Sequence, residues 1–421
     1  MPNKKYFFIL ISFLFFILLI FEPQVIRQSI KKILPTEVRN KIKIIVFGKD
    51  YIDKMRFYYD VNYNEKKLPY TQFEELLVSY IDVDKLIKKT TKNHYKKNLP
   101  MKSAFLEILN DKILIITSYG EIITLNETSL ADSKNIGNNL SGDIKIVGSH
   151  LEKDRLYLAL FNNKFDNKGD LICSTLSIKK SKIDTNDKYF TFKNVFNSND
   201  CNGIGASGVE IAVDDKKKEL YFTTGATAKI KDFAQKDNSI YGKVIKVNLI
   251  DSSFKIYSKG HRNPQGLIIT TNGNIISTEH GPYGGDEINK IEENKNYGWP
   301  ISSYGEKYSY KINQNYQYKK DHNNYGFKEP IFSFVPSIGI SRIKEIPEKF
   351  SSLMKNNLLI SSLNRRSIFR ARFDRNFDKL IFYEEIRVGG RVRDIAYRKS
   401  KNQFLLYLED ISKIMILKSK N

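Results

Sequence analysis

Two cysteines in 421 residues leave this chain little from which to build a disulfide framework or a thiolate metal site. Cys173 sits in an apolar run and Cys201 in a polar loop, with no CxxC spacing and no paired histidines, which argues against a zinc centre. An even, minimal count in an exported chain invites one disulfide; two free thiols are the alternative. Acid is also scarce, with 47 Asp and Glu against 69 Lys and Arg, for a formal charge of +22. Clustered, that excess would point to nucleic acid or anionic lipid. Here it is diffuse: 54 of the basic residues are Lys, scattered among Asn and Ile. No Lys/Arg stripe interleaved with aromatics occurs, and no helix-turn-helix, RRM or zinc-finger pattern, so nucleic-acid binding is set aside.

Long apolar runs are missing except for one, YFFILISFLFFILLIF at 6–21, which comes after Lys4 and Lys5. Its length falls between a signal-peptide core and a comfortable span. No small-x-small cleavage site lies beyond it, so an uncleaved signal anchor over 1–22 is expected, a single N-terminal transmembrane helix. Arg27, Lys31, Lys32, Arg39 and Lys41 on its far side favour a cytoplasmic body. Short N-terminal anchors commonly export the chain attached to them. That habit and the cysteine pair favour the extracytoplasmic (periplasmic) side, which is the expectation adopted.

Residues 23–100 read as a helical juxtamembrane lead-in. Val25, Ile26, Ile30, Ile33 and Leu34, then Phe73, Leu76, Leu77, Tyr80 and Ile81, then Val83, Leu86 and Ile87, recur at helical spacing. From 101 to 421 that spacing disappears. Short apolar runs divided by Asn, Asp and Gly turns recur in trios, from Phe105–Leu109, Lys112–Thr117 and Glu121–Leu125 to Val392–Tyr397, Gln403–Tyr407 and Lys413–Leu417. Such an array, without alternating helices, predicts an all-β fold of six three- or four-stranded units, a six-bladed β-propeller; a pair of sandwiches is the competitor.

The densest chemistry lies in Gly260-His261-Arg262-Asn263-Pro264-Gln265-Gly266-Leu267 and Glu279-His280-Gly281-Pro282-Tyr283-Gly284-Gly285-Asp286-Glu287-Ile288-Asn289. Two apolar strands around Asn272-Gly273 join them, a hairpin signal that places both polar segments at one end of a sheet. With Asn296-Tyr297-Gly298-Trp299-Pro300, the segment Pro330–Ile338 and Gly390-Arg391-Val392-Arg393-Asp394, the run from Gly203 to Asp410 resembles the soluble glucose/sorbosone dehydrogenases, six-bladed propellers that use pyrroloquinoline quinone (PQQ) with calcium.

The resemblance implies a set of roles. Arg391 and Arg393 would clamp the carboxylates of PQQ, for which guanidinium forks are suited. Arg262 and Asn263 would reach the quinone side, Arg262 being the catalytic candidate. The Gly281 and Pro282 carbonyls would ligate a catalytic Ca²⁺, and Asp286, Glu287 and the Tyr297 carbonyl a structural one. His261 and His280 are expected to pack or support. Three departures stand against the family pattern. The catalytic base, a His in the family, aligns with Ala206, or Ser207 with a one-residue slip, and neither is a base near neutral pH. A cofactor-contacting Lys aligns with Asn364, where Arg365 is a substitute. The early Gln-Gly-Gly segment has no clear counterpart around Asn139–Gly142. Three readings result. One is an anchored sugar or polyol dehydrogenase whose electron acceptor the sequence leaves open. Another is a non-catalytic calcium-stabilised propeller binding a glycan or envelope partner, and the third a hydrolase using His261 or His280.

Overall fold

The computed structural model describes residues 76–87, 103–184, 186–201, 208–306 and 318–420. Within them six sheets form, each with a core of four antiparallel strands ordered from the inside outward. Blade 1 is Ala104–Leu109, Lys112–Thr117, Ile122–Thr124 and Lys134–Asn138, and blade 2 is Ile144–Glu152, Arg155–Phe165, Leu171–Lys182 and Lys193–Asn197. Blade 3 is Ile211–Asp214, Glu219–Thr224, Lys243–Asn248 and Phe254–Lys259; blade 4 is Pro264–Ile269, Ile275–Glu279, Asp286–Ile291 and Phe332–Phe334. Blade 5 is Ile340–Glu345, Leu358–Ser362, Ser367–Phe373 and Leu380–Arg387. Blade 6 takes Val392–Arg398, Gln403–Leu408 and Lys413–Ser419 from the end of the described chain and Leu76–Asp82 from its beginning. The innermost strands touch in cyclic order, blade 6 against blade 1, so the ring is closed.

That last strand corrects the helical reading of 73–87. Leu76–Asp82 pairs antiparallel with Lys413–Ser419, Leu76 opposite Ser419 and Asp82 opposite Lys413. Leu76, Val78 and Tyr80 alternate onto the apolar seam between blades 5 and 6, while Ile81, Val83 and Ile87 pack into the seam between blades 6 and 1. The open edge of Lys413–Ser419 supplies the ladder that a helix could not complete. The propeller therefore includes Leu76–Asp82, ahead of the boundary expected at 101. The apolar run at 6–21 and the lead-in up to 75 lie outside the described residues. Among the described residues no helix is long and apolar enough to cross a membrane.

Each blade seam holds its own apolar cluster, so packing rather than any single core closes the ring. Phe105, Ile116, Ile146 and Leu158 fill the seam of blades 1 and 2; Tyr157, Ile178, Phe222 and Ile245 that of blades 2 and 3; Ile276, Ile288, Ile343 and Phe369 that of blades 4 and 5. Fully burying one such side chain is worth about 1.5–3 kcal/mol. Turn chemistry follows the sequence locally. Asn110 and Asp111, both at positive φ, join Leu109 to Lys112 as a two-residue hairpin loop. The blade 4 hairpin forms as expected, with a wider turn: Thr270 pairs with Asn274 and only Gly273, at φ +82°, takes the left-handed conformation. Cys173 and Cys201 are joined in a disulfide, with Cα atoms 5.3 Å apart, which settles the alternative left open by their spacing.

Candidate functional site

The opening residues of the innermost strands, or those just ahead of them, surround a central cavity of about 250 Å³ to which all six blades contribute. Phe105, Lys145, Val209, Gln265, Arg342 and Arg393 represent the blades in order. Three cations and no described carboxylate line it. Below it, Arg342 is ion-paired to Glu210 of blade 3 and, at 3.3 Å, to Asp394 of blade 6, and lies 5.0 Å over the Phe105 ring. These buried groups tie blades 1, 3, 5 and 6 across the axis. Deeper still, Glu107 accepts a hydrogen bond from the Ser149 hydroxyl at 2.7 Å. Burial pushes the Glu107 carboxyl up to about 7, although Lys344 pulls it down.

The two polar segments of the blade 4 hairpin do meet, and Glu279 holds them together. Its buried carboxylate accepts the backbone N–H groups of Arg262 and, at 3.3 Å, Asn263, and it lies 3.0 Å from His261 Nδ1. His261 Nε2 is in turn 2.9 Å from the Ser258 hydroxyl, and the imidazole stacks on Tyr297 with ring centroids 4.6 Å apart. Ser, His and acid thus stand at the distances of a hydrolytic triad. All three are buried, Ser258 at 1 % and His261 at 0 % exposure, so the set fixes a loop and offers no nucleophile to solvent. This removes His261 from the hydrolase reading.

Fixing that loop positions Arg262 and Asn263. Arg262 Nη1 donates to the His280 carbonyl at 2.9 Å, and its guanidinium lies 5.2 Å over the Trp299 ring. Trp299 is itself anchored by its indole N–H to the Ala226 carbonyl at 2.7 Å, which explains the chemistry of the Asn-Tyr-Gly-Trp-Pro segment. The Asn263 side chain accepts from Gln265 at 2.8 Å and borders Gly208. At Gly208, φ is +63° and a Cβ would stand 2.0 Å from the Pro264 carbonyl, so only glycine fits. Asn263 therefore sits against Gly208, just ahead of Ile211–Asp214, and Ala206 and Ser207 are the sequence positions of the expected base. Those two positions lie outside the described residues.

Of the expected cofactor contacts, Arg393 lines the cavity and Arg391 does not. Both grip Glu409, Arg393 at 2.6 Å and Arg391 at 3.0 Å, and Arg391 also reaches the Leu363 carbonyl. Burial alone would raise the Glu409 pKa, but the two guanidinium groups outweigh it and hold it below the usual carboxylate range. One carboxylate between two arginines leaves a net positive end facing the cavity. Arg365 is paired with Glu385 at 3.0 Å on its own blade, and Asn364 is held by its backbone to Ile338. Neither lines the cavity.

The expected calcium ligands divide. Adjacent strand residues point to opposite faces, and Asp286 and Glu287 do so here. Asp286 accepts the N–H of Gly281 at 3.1 Å and that of Ile340 at 2.9 Å, binding the loop to blade 5. Glu287 faces the other way, 3.7 Å from His322 Nε2 and 3.3 Å from the Asn289 amide. Burial first, then the Glu279 charge, push its carboxyl well above the ordinary range. The two carboxylates therefore meet different partners, Asp286 the backbone of the loop and of blade 5, Glu287 the side chains of His322 and Asn289. Glu287 shares its polar pocket with the Tyr297 backbone and with His322, a residue the sequence had not marked, whose imidazole burial keeps towards the neutral form. At Gly281 the carbonyl oxygens of Gly284 and Gly285 close to within 2.3 Å of where a Cβ would stand, so the loop does gather carbonyl groups. Among the described residues no three His, Cys, Asp or Glu side chains converge as a metal cluster.

Comparison with known proteins places this architecture. Residues 98–417 match the Glucose / Sorbosone dehydrogenase family. The aldose sugar dehydrogenase of Escherichia coli is 32% identical over 170 residues, 39% of this chain and 43% of that protein. The chain spans about half the length of the curated relatives it matches. By structure it is similar to the apo-form of the E. coli aldose sugar dehydrogenase, with a TM-score of 0.65 and 18% identity over 82% of this chain and 100% of that one. The PQQ-bound aldose sugar dehydrogenase from Streptomyces coelicolor gives 0.58 and 17% over 82% and 99%. With the six blades, the closed ring and the paired loops of blade 4 already in place, the chain belongs to the glucose/sorbosone dehydrogenase family.

Proposed function

We propose that this chain is a PQQ-dependent dehydrogenase that oxidises an aldose or related polyol, tethered to a membrane by residues 6–21 with the propeller on the extracytoplasmic side. The observation that carries the reading is the central cavity, built by all six blades and lined by cations with no described carboxylate. That lining suits a planar tricarboxylate. PQQ, when bound, would supply the acceptor for a hydride from the sugar carbon.

The chain's own residues do the rest. Arg393, backed by Arg391 and Glu409, would hold a cofactor carboxylate from blade 6. Glu279 and His261 keep Arg262 and Asn263 at the edge of the site without touching the reacting atoms. The loop from Gly281 to Gly285 offers carbonyl groups for a calcium ion beside the cofactor, with the Gly281 and Pro282 carbonyls the intended ligands. Each Asp286 oxygen already accepts one backbone N–H, so any share it takes in ion binding is added to its hold on the loop. No base is assigned, since Ala206 cannot take a proton.

Ala206 favours a second reading, a propeller that binds a glycan or envelope partner without turnover. Incubating the full-length protein with PQQ and Ca²⁺, then supplying aldoses and an artificial electron acceptor, separates the two. Acceptor reduction that is lost in Arg262→Ala supports the dehydrogenase. Failure to bind PQQ at micromolar protein, by absorbance or calorimetry, sinks it; PQQ binding with no turnover on any aldose leaves the binding propeller. Alkaline extraction of membranes tests the tether, which requires the chain to stay in the pellet.

A further inference from the structure

Lys145 is the cavity cation that neither the family motifs nor the blade 4 loops account for. It is the second residue of the innermost strand of blade 2, and its side chain is exposed where it lines the cavity. Arg342 is matched by Glu210 and Asp394 beneath the cavity, and Arg393 shares Glu409 with Arg391. No described Asp or Glu lines the cavity wall itself. Lys145 and Arg393 come from different blades and charge the same small volume. Although part of the side chain is open to solvent, the surrounding blades strip water from it, and that desolvation first, the nearby Arg393 charge second, hold the ammonium below the usual lysine range. Asn163, Ser174 and Gln265 add polar groups to the same wall. Cations gathered where water is restricted and no carboxylate lines the wall raise the local concentration of small anions.

We propose that Lys145 and Arg393 together hold a carboxylate of the cavity's ligand, making Lys145 an anion-recognition residue of this chain. The proposal rests on the sugar-dehydrogenase reading in its choice of two sources for that carboxylate: the cofactor itself, or an acidic sugar such as a uronate. A charge-assisted hydrogen bond of this kind is worth about ten- to a hundredfold in affinity.

Calorimetry on the full-length wild type, Lys145→Gln and Lys145→Arg tests it, with PQQ alone as one probe and glucuronate against glucose, without PQQ, as the other. Lys145→Gln is expected to weaken one carboxylate probe about tenfold or more, Lys145→Arg to stay within about threefold of wild type, and glucose to be unaffected. If the weakened probe is PQQ, the carboxylate is the cofactor's; if it is glucuronate, the substrate's. Thermal melts of both variants accompany the titrations, and an affinity change is read only from a variant that melts within a few degrees of the wild type. The proposal is overturned if Lys145→Gln binds both carboxylate probes within about twofold of wild type, or if the wild type binds neither. Unchanged PQQ affinity, glucuronate affinity and turnover in Lys145→Gln would leave the dehydrogenase standing without this contact. Glucuronate held through Lys145 by a protein that ignores PQQ would do the reverse.

Discussion

Replacing Glu279 should loosen the candidate site and lower global stability together, because one buried carboxylate serves three donors. Glu279→Ala strands the N–H groups of Arg262 and Asn263 and leaves His261 Nδ1 facing a void. Each buried group left unpaired costs about 1–3 kcal/mol, and water entering the void offsets part of the sum, so a loss of about 3–6 kcal/mol is expected. Against a total stability of about 5–15 kcal/mol, that is a large share. Glu279→Gln keeps a carbonyl oxygen for the two backbone groups and turns an NH₂ towards the imidazole, so it should cost about 1–2 kcal/mol. Urea unfolding followed by far-UV circular dichroism measures the global effect. The chain's single tryptophan, Trp299, lies under Arg262, so its fluorescence reports the loop itself. An alanine variant within about 0.5 kcal/mol of wild type, or a glutamine variant as damaged as alanine, would show that Glu279 does not organise the loop.

The Cys173–Cys201 disulfide, with a sequence separation of 28, should contribute about 3–4 kcal/mol by loop entropy, so a Cys173→Ser/Cys201→Ser double variant should unfold at correspondingly lower urea. Glu107 binds its proton more tightly in the folded protein than in the unfolded chain, so it takes stability away as pH rises from about 4.5 to about 7. Glu107→Gln should therefore gain on the wild type across that window and keep a constant advantage above it; equal pH slopes in unfolding titrations would contradict this. Gly208→Ala, whose Cβ would collide with the Pro264 carbonyl, should lose at least about 1 kcal/mol and shift Asn263. A melting curve unchanged from wild type would mean that the strand entry moves aside freely.

The inner and middle strands were legible because their apolar runs are buried on both faces, as in Leu358–Ser362 and Gln403–Leu408. Outer strands such as Lys134–Asn138, Phe254–Lys259 and Leu380–Arg387 are half exposed, so polar residues break their pattern, and the sequence left open whether each unit has three strands or the four that the sheets show. Leu76–Asp82 deceived for the same reason, since Leu76, Tyr80 and Ile81 satisfy a helical spacing as easily as a half-buried strand. The hairpin loops of blade 4 were found because glycine, proline and charge are dense there. Glu210, Arg342 and Glu409 were not, because a lone charge inside an apolar strand does not show which blade will answer it. That Asp286 and Glu287 meet different partners follows a rule available from the start, that neighbours in a strand face apart.

Closing blade 6 with Leu76–Asp82 also gives the ring an order of assembly. Leu76 must find Ser419, roughly 340 residues away, and a loop of that length forms slowly although its added entropy cost grows only with the logarithm of its length. Until Lys413–Ser419 has emerged from the ribosome, the 76–82 segment has no ladder to join, and blades 1 to 5 can form only as an open arc. A chain stopped short of residue 413 would lose more than its final strand: it would leave Gln403–Leu408 with a bare edge and Leu76–Asp82 unpaired, two sticky surfaces of the kind that aggregate or are cleared by proteases.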